Sequence, residues 1–278
     1  MPRERPGETF PLRGSVSVVT GAAGGIGRAL ALQLAGEGVD LALVDIDAVA
    51  LEATARAARE FGRTVSTHLV DTGDAAAVAG LPEAVLARHG RVALLINNAG
   101  VALMGSFDEL TLADIEWLFA INFWGVVRMT KAFLPALRRE PTAHIVNLSS
   151  VFGIIAPPGQ TAYSASKFAV RGFSEALRHE LAGSRIGLSV VHPGGIATSI
   201  AENARVAAGI APETAKQAAA QFKTLARTTP EAAAARILAG IRRREKRILI
   251  GADARVIAAV QRVFPVSYWN LFRRFNPR

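Results

Sequence analysis

The chain of 278 residues contains no cysteine. This absence excludes disulfide bonds, thiolate metal ligands and a thiol nucleophile together. The histidines, at 68, 89, 144, 179 and 192, show no metal-ligand spacing, so no metal site is expected. No apolar run approaches the ~20 residues of a membrane-spanning helix, and the start, MPRERPGETFPLRG, does not resemble a signal peptide. A cytoplasmic protein is therefore expected.

Charge imbalance is also lacking outside the C-terminal segment. The formal net charge is +9, but residues 241–278 hold ten basic against two acidic side chains, a net of +8. The first 240 residues therefore carry only +1. A basic tail on a nearly neutral body does not resemble a nucleic-acid-binding face, so no nucleic-acid partner is predicted.

Short β-branched apolar runs alternate with amphipathic segments rich in alanine and leucine. Strands are predicted at 16–20, 39–45, 64–71, 92–97, 143–149, 187–192 and 247–251. Helices are predicted near 25–36, 47–61, 74–89, 111–139, 162–183 and 230–244. Apolar strands joined by helical crossovers predict an α/β fold: a doubly wound, mostly parallel seven-stranded sheet of Rossmann type with helices on both faces.

The same pattern predicts three parts of the chain. Residues 1–13 are expected to form a flexible N-terminal tail, and residues 14–251 a single domain. Residues 252–278 are expected to form a basic amphipathic C-terminal extension.

In such sheets, ligands bind beyond the carboxyl ends of the strands. The first strand ends in TGAAGGIGRAL (20–30), where glycines permit a tight turn and leave a helix N-terminus open to an anion such as a pyrophosphate. The spacing is T-G-x-x-x-G-x-G rather than G-x-G-x-x-G, and a plain tight turn is the alternative. The predicted cofactor contacts here are Thr20, Gly21, Gly25, Ile26 and Gly27.

Acidic and amide side chains end the next strands. Asp45 ends the second, where a carboxylate accepts hydrogen bonds from ribose hydroxyls and repels a 2′-phosphate, so NAD is predicted over NADP. Asp47 is interpreted as a helix cap, and Asp71, followed by Thr72, either binds the adenine or only forms a turn. NNAG (97–100) lies against the ligand or forms a buried polar bridge between strands. The predicted ligand contacts there are Asn98, Ala99 and Gly100.

Tyr163 and Lys167 lie four residues apart in TAYSASKFAV (161–170), so on a helix they share one face. One interpretation is a packed tyrosine beside a solvated lysine. The other is a phenol whose pKa the ammonium lowers so that it moves protons. A free phenol has a pKa of about 10, and an ammonium ~5 Å away at an effective dielectric of ~20 contributes roughly 3 kcal/mol, or a little over two pKa units. The charge of Lys167 is therefore expected to supply most of the pKa lowering that Tyr163 needs to act as a base near neutral pH.

Together, T-G-x-x-x-G-I-G, N-N-A-G, Ser150 and Y-x-x-x-K resemble the short-chain dehydrogenase/reductase family over about residues 14–251. Ser150 lies thirteen residues before Tyr163, which is the usual family spacing. Ser149 departs from that spacing by one residue and is the poorer candidate for the catalytic serine. Asn122, in LFAINFWGV, matches the family's active-site asparagine. HPGGIAT (192–198) resembles the family's nicotinamide-binding turn, which adds as cofactor contacts Pro193, Gly194, Ile196 and Thr198.

The resemblance implies that residues 14–251 are a dinucleotide-binding catalytic domain, which transfers a hydride between NAD(H) and a secondary alcohol or ketone. Tyr163 then exchanges the hydroxyl proton, and Ser150 hydrogen-bonds the substrate oxygen. Lys167 lowers the pKa of the tyrosine and holds the nicotinamide ribose, so that Tyr163 and Lys167 are also cofactor contacts. Asn122 orders a water that links Lys167 to solvent. The family also implies a homo-oligomer, a dimer or tetramer, formed through the long helices.

Two other functions share some of these features. Sugar-nucleotide epimerases and dehydratases carry Y-x-x-x-K, and Gly21, Gly24 and Gly27 also fit their G-x-x-G-x-x-G spacing. The lack of an extra substrate domain after the sixth strand argues against them. A cofactor-binding sensor or scaffold without turnover usually lacks part of the catalytic set, which is complete here.

The segments after the predicted nicotinamide turn bear on substrate and partners. Residues 199–227 are alanine-rich, with Phe222 and no anion-binding fork, and predict a mobile lid over an apolar pocket for a lipophilic alcohol or ketone. In the tail, aromatics recur every three residues beside arginines, with Trp269, Phe272 and Phe275 next to Arg273 and Arg274. They predict packing over the pocket or on another subunit, or peripheral contact with an anionic membrane. Packing on protein is favoured, because amphipathic stripes more often bury against protein than lipid.

Overall fold

A computed structural model of the protein describes residues 9–275. The strands of its central sheet are β1 (Val16–Thr20), β2 (Asp40–Asp45), β3 (Val65–Leu69), β4 (Leu94–Asn97), β6 (Ala143–Leu148), β7 (Ile186–Pro193) and β9 (Arg247–Ile250). Their order is β3-β2-β1-β4-β6-β7-β9, and every neighbouring pair is parallel. A second, two-stranded parallel sheet joins β5 (Leu103–Met104) to β8 (Arg205–Val206). The predicted doubly wound, seven-stranded sheet is confirmed.

Helices connect the strands and cover both faces of the sheet. They are α1 (Gly25–Gly36), α2 (Ala48–Arg59), α3 (Ala75–Ala79), α4 (Leu81–His89), α5 (Leu112–Phe119), α6 (Val126–Arg138), α7 (Thr161–Glu180), α8 (Pro212–Leu225), α9 (Pro230–Arg242), α10 (Ala252–Val263) and α11 (Tyr268–Phe275). Successive strand side chains point to opposite faces. Leu41 and Leu43 of β2 therefore join a core with α1, α2 and α9, whereas Ala42 and Val44 join a core with α4 and α6.

Capping side chains set several helix starts. The Asp47 carboxylate accepts hydrogen bonds from the N–H groups of Val49 and Ala50, which confirms Asp47 as the cap of α2. The Thr229 hydroxyl accepts from the N–H of Ala232 at the start of α9. Each such cap stabilises its helix by typically ~1 kcal/mol.

The single helix predicted over 111–139 is divided into three parts. α5 ends at Phe119, residues 120–125 form a π-helical segment, and α6 begins at Val126. Asn122 lies within the π-helical segment and is fully buried. A π-helical turn inside a helix inserts one extra residue, and such turns often occur at functional sites. Periodicity in the sequence does not reveal it, because both flanking helices keep their apolar faces.

The N-terminal residues differ from the flexible tail expected for 1–13. Phe10 and Leu12 are only 2% and 5% exposed and belong to the core that contains α1 and α9. The N–H of Phe10 donates to the carbonyl of Arg242 at 2.9 Å. Two isolated apolar residues among prolines and charges carry no periodicity, so only tertiary packing reveals their burial. Residues 1–8 lie outside the described residues.

The segment after the nicotinamide-type turn is more regular than the lid expected from the sequence. Its residues 205–206 pair with β5, and residues 212–225 form helix α8, in which no residue is buried. None of the helices that the structure describes is long and apolar enough to cross a membrane.

Phe10 supplies a test of the N-terminal packing. Phe10→Ala should lower the free energy of unfolding by about 3–5 kcal/mol, because it empties a fully packed position in the core. Phe61→Ala is the matched control, since Phe61 is 53% exposed, and it should cost less than about 1 kcal/mol. Denaturant unfolding measures both. Equal stability of the two variants would show that Phe10 does not pack as described.

Candidate active site

Thr20 and Asn98 join the carboxyl ends of β1 and β4. The Thr20 hydroxyl accepts hydrogen bonds from the N–H groups of Asn98 at 3.0 Å and Ala99 at 2.9 Å. In return, the Asn98 side-chain amide donates to the carbonyls of Thr20 at 2.9 Å and Gly21 at 3.1 Å. The two predicted ligand-binding motifs, separated by more than seventy residues in the chain, are thus one rigid unit.

The glycine-rich turn after β1 packs so closely against its neighbours that side chains would not fit at Gly21 and Gly27. Gly21 has a φ of +65°, and a Cβ there would lie 2.8 Å from the Asn98 amide nitrogen. A Cβ on Gly27 would lie 1.9 Å from the carbonyl oxygen of Gly21, so only glycine fits. The N-terminus of α1 has no side-chain cap at Gly24, where an added Cβ would meet open space. Free N–H groups at an open helix start suit a pyrophosphate, so the residues fit a dinucleotide.

Asp45 lies beside this turn, at the end of β2. One oxygen of its carboxylate accepts a hydrogen bond from the N–H of Ala23 at 2.9 Å. The other accepts from the N–H of Ile46 at 2.7 Å. The structure therefore brings the predicted ribose-binding carboxylate to the predicted pyrophosphate turn.

Asp71 and Thr72 follow β3 at the same edge of the sheet. The Asp71 carboxylate accepts a hydrogen bond from the N–H of Gly73 at 2.7 Å, which is the turn geometry that the sequence left as an alternative. Asp71 is exposed and Thr72 is buried. An adenine contact from the exposed carboxylate stays a prediction.

The first asparagine of NNAG forms the buried polar bridge that the sequence left open. The Asn97 amide donates to Asn147 Oδ1 at 2.8 Å and to the hydroxyl of Thr130 at 3.0 Å. Asn147, the partner residue on β6, donates in turn to the hydroxyl of Ser174 on α7. Sequence reasoning did not single out Asn147, although an amide inside the apolar strand AHIVNL was a signal. The bridge connects β4, β6, α6 and α7 beneath the site.

Ser150, Tyr163 and Lys167 come together as predicted. Ser150 hydrogen-bonds to Tyr163, and the Lys167 ammonium lies 5.6 Å from the centroid of the tyrosine ring. Burial raises the pKa of Tyr163 to about 12, and the hydrogen bond to Ser150 opposes that rise. Burial also lowers the pKa of Lys167 to about 8. The net shift of the Tyr163 pKa is therefore upward, not the lowering expected from Lys167, because desolvation of the phenol is its largest cause.

Gly100, Asn122 and Lys167 form the floor beside Tyr163. A Cβ on Gly100 would lie 3.2 Å from Asn122 Oδ1 and 3.3 Å from Lys167 Nζ, so both polar atoms flank this glycine. Asn122 Oδ1 accepts from the N–H of Val101 at 2.8 Å, and its amide donates to the Val101 carbonyl at 3.0 Å. The mid-helix amide thus has the buried partners that its position requires.

Two neighbours of Ser150 have structural roles. The hydroxyl of Ser149 donates to the carbonyl of Lys167 at 2.8 Å, which agrees with Ser149 as the poorer candidate. Nδ1 of His192 lies 2.8 Å from the carbonyl oxygen of Ser150 and must carry the proton, because a carbonyl only accepts. Burial lowers the pKa of His192 to about 4 and keeps the ring neutral. His192 therefore fixes the backbone of Ser150.

The turn after β7 closes the other side of the site. Ile196 is buried, and the N–H of Ala197 donates to the Thr228 carbonyl at 2.9 Å. A Cβ on Gly25 would lie 3.1 Å from Thr198 Cγ2, so Thr198 packs over the glycine-rich turn. Pro193 ends β7 and Gly194 follows it. All four residues that the resemblance assigned to the nicotinamide-binding turn thus lie at the same edge of the sheet.

Tyr268 and Trp269 of the tail lie beside the loop between Ser150 and Tyr163. The N–H of Ala156 donates to the hydroxyl of Tyr268 at 3.0 Å. Trp269 lines a groove of about 610 Å³ together with Pro157, Pro158 and Phe168. This placement favours packing on protein for these rings, and membrane contact stays a prediction. The side chains of Arg274 and Phe275, and residues 276–278, lie outside the described residues.

Within residues 9–275, no group of three or more histidine and acidic side chains is placed to hold a metal ion.

The comparisons with known proteins agree with this geometry. The profile of the short chain dehydrogenase family matches residues 15–208. SadH of Mycobacterium tuberculosis is 44% identical over 262 residues, which cover 93% of this chain and 94% of SadH. A short-chain dehydrogenase/reductase from Burkholderia phymatum, solved in complex with NAD, has a TM-score of 0.84 at 33% identity and covers 91% of this chain and 95% of its own. A short chain dehydrogenase from Burkholderia cenocepacia, solved with NADP, has a TM-score of 0.74 at 27% identity, with 88% and 100% covered.

The chain belongs to the short-chain dehydrogenase/reductase family. It is an oxidoreductase with a Rossmann-type fold, and the relatives with bound dinucleotide support a nicotinamide cofactor. NAD and NADP both occur among these relatives, so the comparisons leave the choice between them open.

Thr20 allows a test of the junction between β1 and β4. Thr20→Val should lower the free energy of unfolding by about 2–4 kcal/mol, because two N–H groups lose their acceptor in a buried place. Thr20→Ser keeps the hydroxyl and should cost about 1 kcal/mol for the lost methyl group. Denaturant unfolding distinguishes the two. A Thr20→Val protein as stable as the wild type would show that water replaces these hydrogen bonds.

Proposed function

We propose that the protein interconverts a secondary alcohol and its ketone with NAD(H), with Tyr163 as the proton-transferring residue. The observation that carries this proposal is the contact of Ser150 with the phenol of Tyr163, above a buried Lys167. Bound at the edge of the sheet, the nicotinamide ring would accept or supply the hydride. An assay of alcohols and ketones, followed by NADH absorbance, tests the proposal. The same assay tests the sensor and scaffold alternative, which predicts cofactor binding without turnover.

Each residue of the set has a separate task. Tyr163 holds its proton at neutral pH, because its pKa is raised to about 12, and is ready to give it to a ketone oxygen. Ser150 can hydrogen-bond both the phenol and a substrate oxygen, which would orient the two. Lys167 is charged at pH 7, since its pKa is about 8, and its ammonium would stabilise a tyrosinate. Asn122 Oδ1, which lies across Gly100 from this ammonium, would order a water on the route to solvent.

The surroundings of Tyr163 support a lipophilic substrate. Leu103, Leu118 and Ala162 form a buried apolar cluster, and the ring of Tyr163 packs against it. The lid is joined to this wall by the pairing of β8 with β5. In addition, the Arg205 guanidinium stacks over the Trp117 ring at 3.9 Å. An apolar wall with few charged groups favours alcohols whose substituents are hydrocarbon.

The proposed location is the cytoplasm, and the proposed assembly is a homo-oligomer. Large apolar side chains remain exposed near the helices that the resemblance assigned to subunit contacts, at Leu112, Trp124 and Phe168. Exposed aromatics on neighbouring helices suit an interface between copies of the chain. Light scattering in solution measures the assembly, and a monomer at micromolar concentration would contradict it.

Tyr163→Phe should reduce turnover by at least about 100-fold, since positioned acid–base catalysis contributes typically 10²–10⁴-fold. NADH binding, measured by fluorescence titration, should stay within a few-fold of wild type. A variant that keeps more than about a tenth of wild-type kcat would show that another group transfers the proton.

The pH profile gives a second readout of the same residue. Alcohol oxidation needs the deprotonated phenol, so below the pKa of Tyr163 its kcat/KM should rise by up to about tenfold per pH unit. The rise should flatten above pH 8, where Lys167 loses its charge. Ketone reduction uses the protonated phenol and should be level between pH 6 and 8. An oxidation rate that is level over that range would point to a different base.

The proposed preference for NAD rests on Asp45. Asp45→Asn keeps an acceptor for the N–H of Ala23 but removes the charge that repels a 2′-phosphate. Its ratio of kcat/KM for NAD to that for NADP should therefore fall by about tenfold or more. Asp47→Asn, two residues on, changes charge equally at a helix cap and should leave the ratio unchanged. Equal use of both cofactors by the wild type would contradict the proposal.

A further inference from the structure

The two C-terminal helices contact both segments that flank the proposed reaction site. Asp253, in the first turn of α10, binds the turn after β7. Tyr268, at the start of α11, binds the loop between Ser150 and Tyr163. Both contacts come from residues beyond the region that the family profile matches, which ends at 208.

The Asp253 carboxylate fits a notch formed by glycines. Its Oδ2 accepts a hydrogen bond from the N–H of Gly195 at 2.8 Å. A Cβ on Gly194 would lie 2.1 Å from the same oxygen, and a Cβ on Gly251 would lie 2.2 Å from Oδ1. The N–H of Gly194 is held by the carbonyl of Ile250 at 3.0 Å. The turn that leads to Thr198 is therefore anchored at its first residues by the end of β9 and the start of α10.

Tyr268 binds the loop on the opposite side of the site from the turn after β7. Its hydroxyl accepts the N–H of Ala156, within the loop 151–160 that separates Ser150 from Tyr163. On the same loop, the ring of Phe152 lies edge-on to the ring of Tyr163, with centroids 6.1 Å apart. A shift of this loop would therefore change the space beside the reacting phenol.

Few residues of α10 are fully buried. Ala254 is the only residue of α10 that is buried among those the structure describes. Since the other apolar residues of α10 are at most half-buried, its hydrogen bonds gain importance for its placement. Because the turn and the loop are both partly solvent-exposed, these bonds should align the site more than they stabilise the fold.

We propose that Asp253 and Tyr268 are positioning residues, Asp253 for the cofactor-binding turn and Tyr268 for the substrate-side loop. The C-terminal extension then positions two segments of the active site. This inference rests on the proposed function, in which the turn at 193–198 meets the nicotinamide and the loop at 151–160 borders the substrate.

The test measures KM for NAD and KM for the alcohol separately, with the most active alcohol of the assay as substrate. Asp253→Ala should raise KM for NAD by about tenfold, equivalent to 1.4 kcal/mol, with the KM for the alcohol nearly unchanged. Asp253→Asn retains an acceptor for the N–H of Gly195 and should recover most of the loss. Tyr268→Phe should raise the KM for the alcohol several-fold and leave that for NAD unchanged. Glu231→Ala, in the first turn of α9, is the control for loss of an acidic residue at a helix start.

A double-mutant cycle at Gly194 and Asp253, measured by NADH binding, tests the Asp253 contact without turnover. Gly194→Ala should weaken NADH binding in fluorescence titration, because its methyl group meets the carboxylate. In Asp253→Ala the methyl group has room, so the double variant should bind NADH more tightly than Gly194→Ala alone. Tighter binding in the double variant supports the inference, and weaker binding overturns it for Asp253.

Two results would overturn the inference as a whole. One is no change in either KM for Asp253→Ala and Tyr268→Phe. The other is a parallel change in both KM values that follows a fall in melting temperature, which would indicate a merely structural role. Hydrogen exchange over residues 151–160 reports the Tyr268 contact independently, and should quicken in Tyr268→Phe. Failure of the proposed function would instead appear as an active Tyr163→Phe enzyme, so the two failures are distinguishable.

Discussion

The reciprocal hydrogen bonds between Thr20 and the amide groups after β4 are the constraint on which the site depends. β1 and β4 are neighbours in the sheet, and the chain runs outward from this pair in opposite directions, to β3 on one side and β9 on the other. At such a reversal the connections diverge and leave a crevice at the carboxyl edge. Thr20 and Asn98 hold the two strand ends together across it. The glycine-rich turn on one side and Gly100 with Asn122 on the other then have fixed positions.

Around this junction, burial and hydrogen bonding set the chemistry more than charge does. A phenol and an ammonium on one helix face would by charge alone favour tyrosinate. In the folded protein desolvation acts on both groups, raising the pKa of Tyr163 and lowering that of Lys167. The two values therefore move apart, to about 12 for the phenol and about 8 for the ammonium, so both groups hold their protons at neutral pH. The buried polar bridge from Asn97 through Asn147 to Ser174 supports α7 beneath the pair without adding charge.

The sheet and most residues of the candidate site could be predicted from the sequence because those features are local. Glycine spacing after β1, Asp45 at the end of β2 and the Tyr163–Lys167 pair each lie within one short segment. Features that depend on distant parts of the chain were not predictable in the same way. Burial of Phe10 requires the end of α9, since its N–H binds the carbonyl of Arg242. Within the π-helical segment, the Asn122 amide finds its partner in Val101, twenty-one residues earlier. The pKa of Tyr163 depends on burial, which no spacing of residues expresses.

The C-terminal helices extend this reasoning beyond residue 208, where the family profile ends. The residues proposed to touch reactants lie within the matched region, whereas Asp253 and Tyr268 lie beyond it and reach back to the backbone on both sides of Tyr163. Contacts to backbone groups leave the catalytic side chains free to match the family pattern. They also let an extension adjust the width of the crevice without altering any motif residue. Differences in substrate range among proteins with the same catalytic set can therefore originate in segments that carry no motif, provided that they bind the two walls of the site.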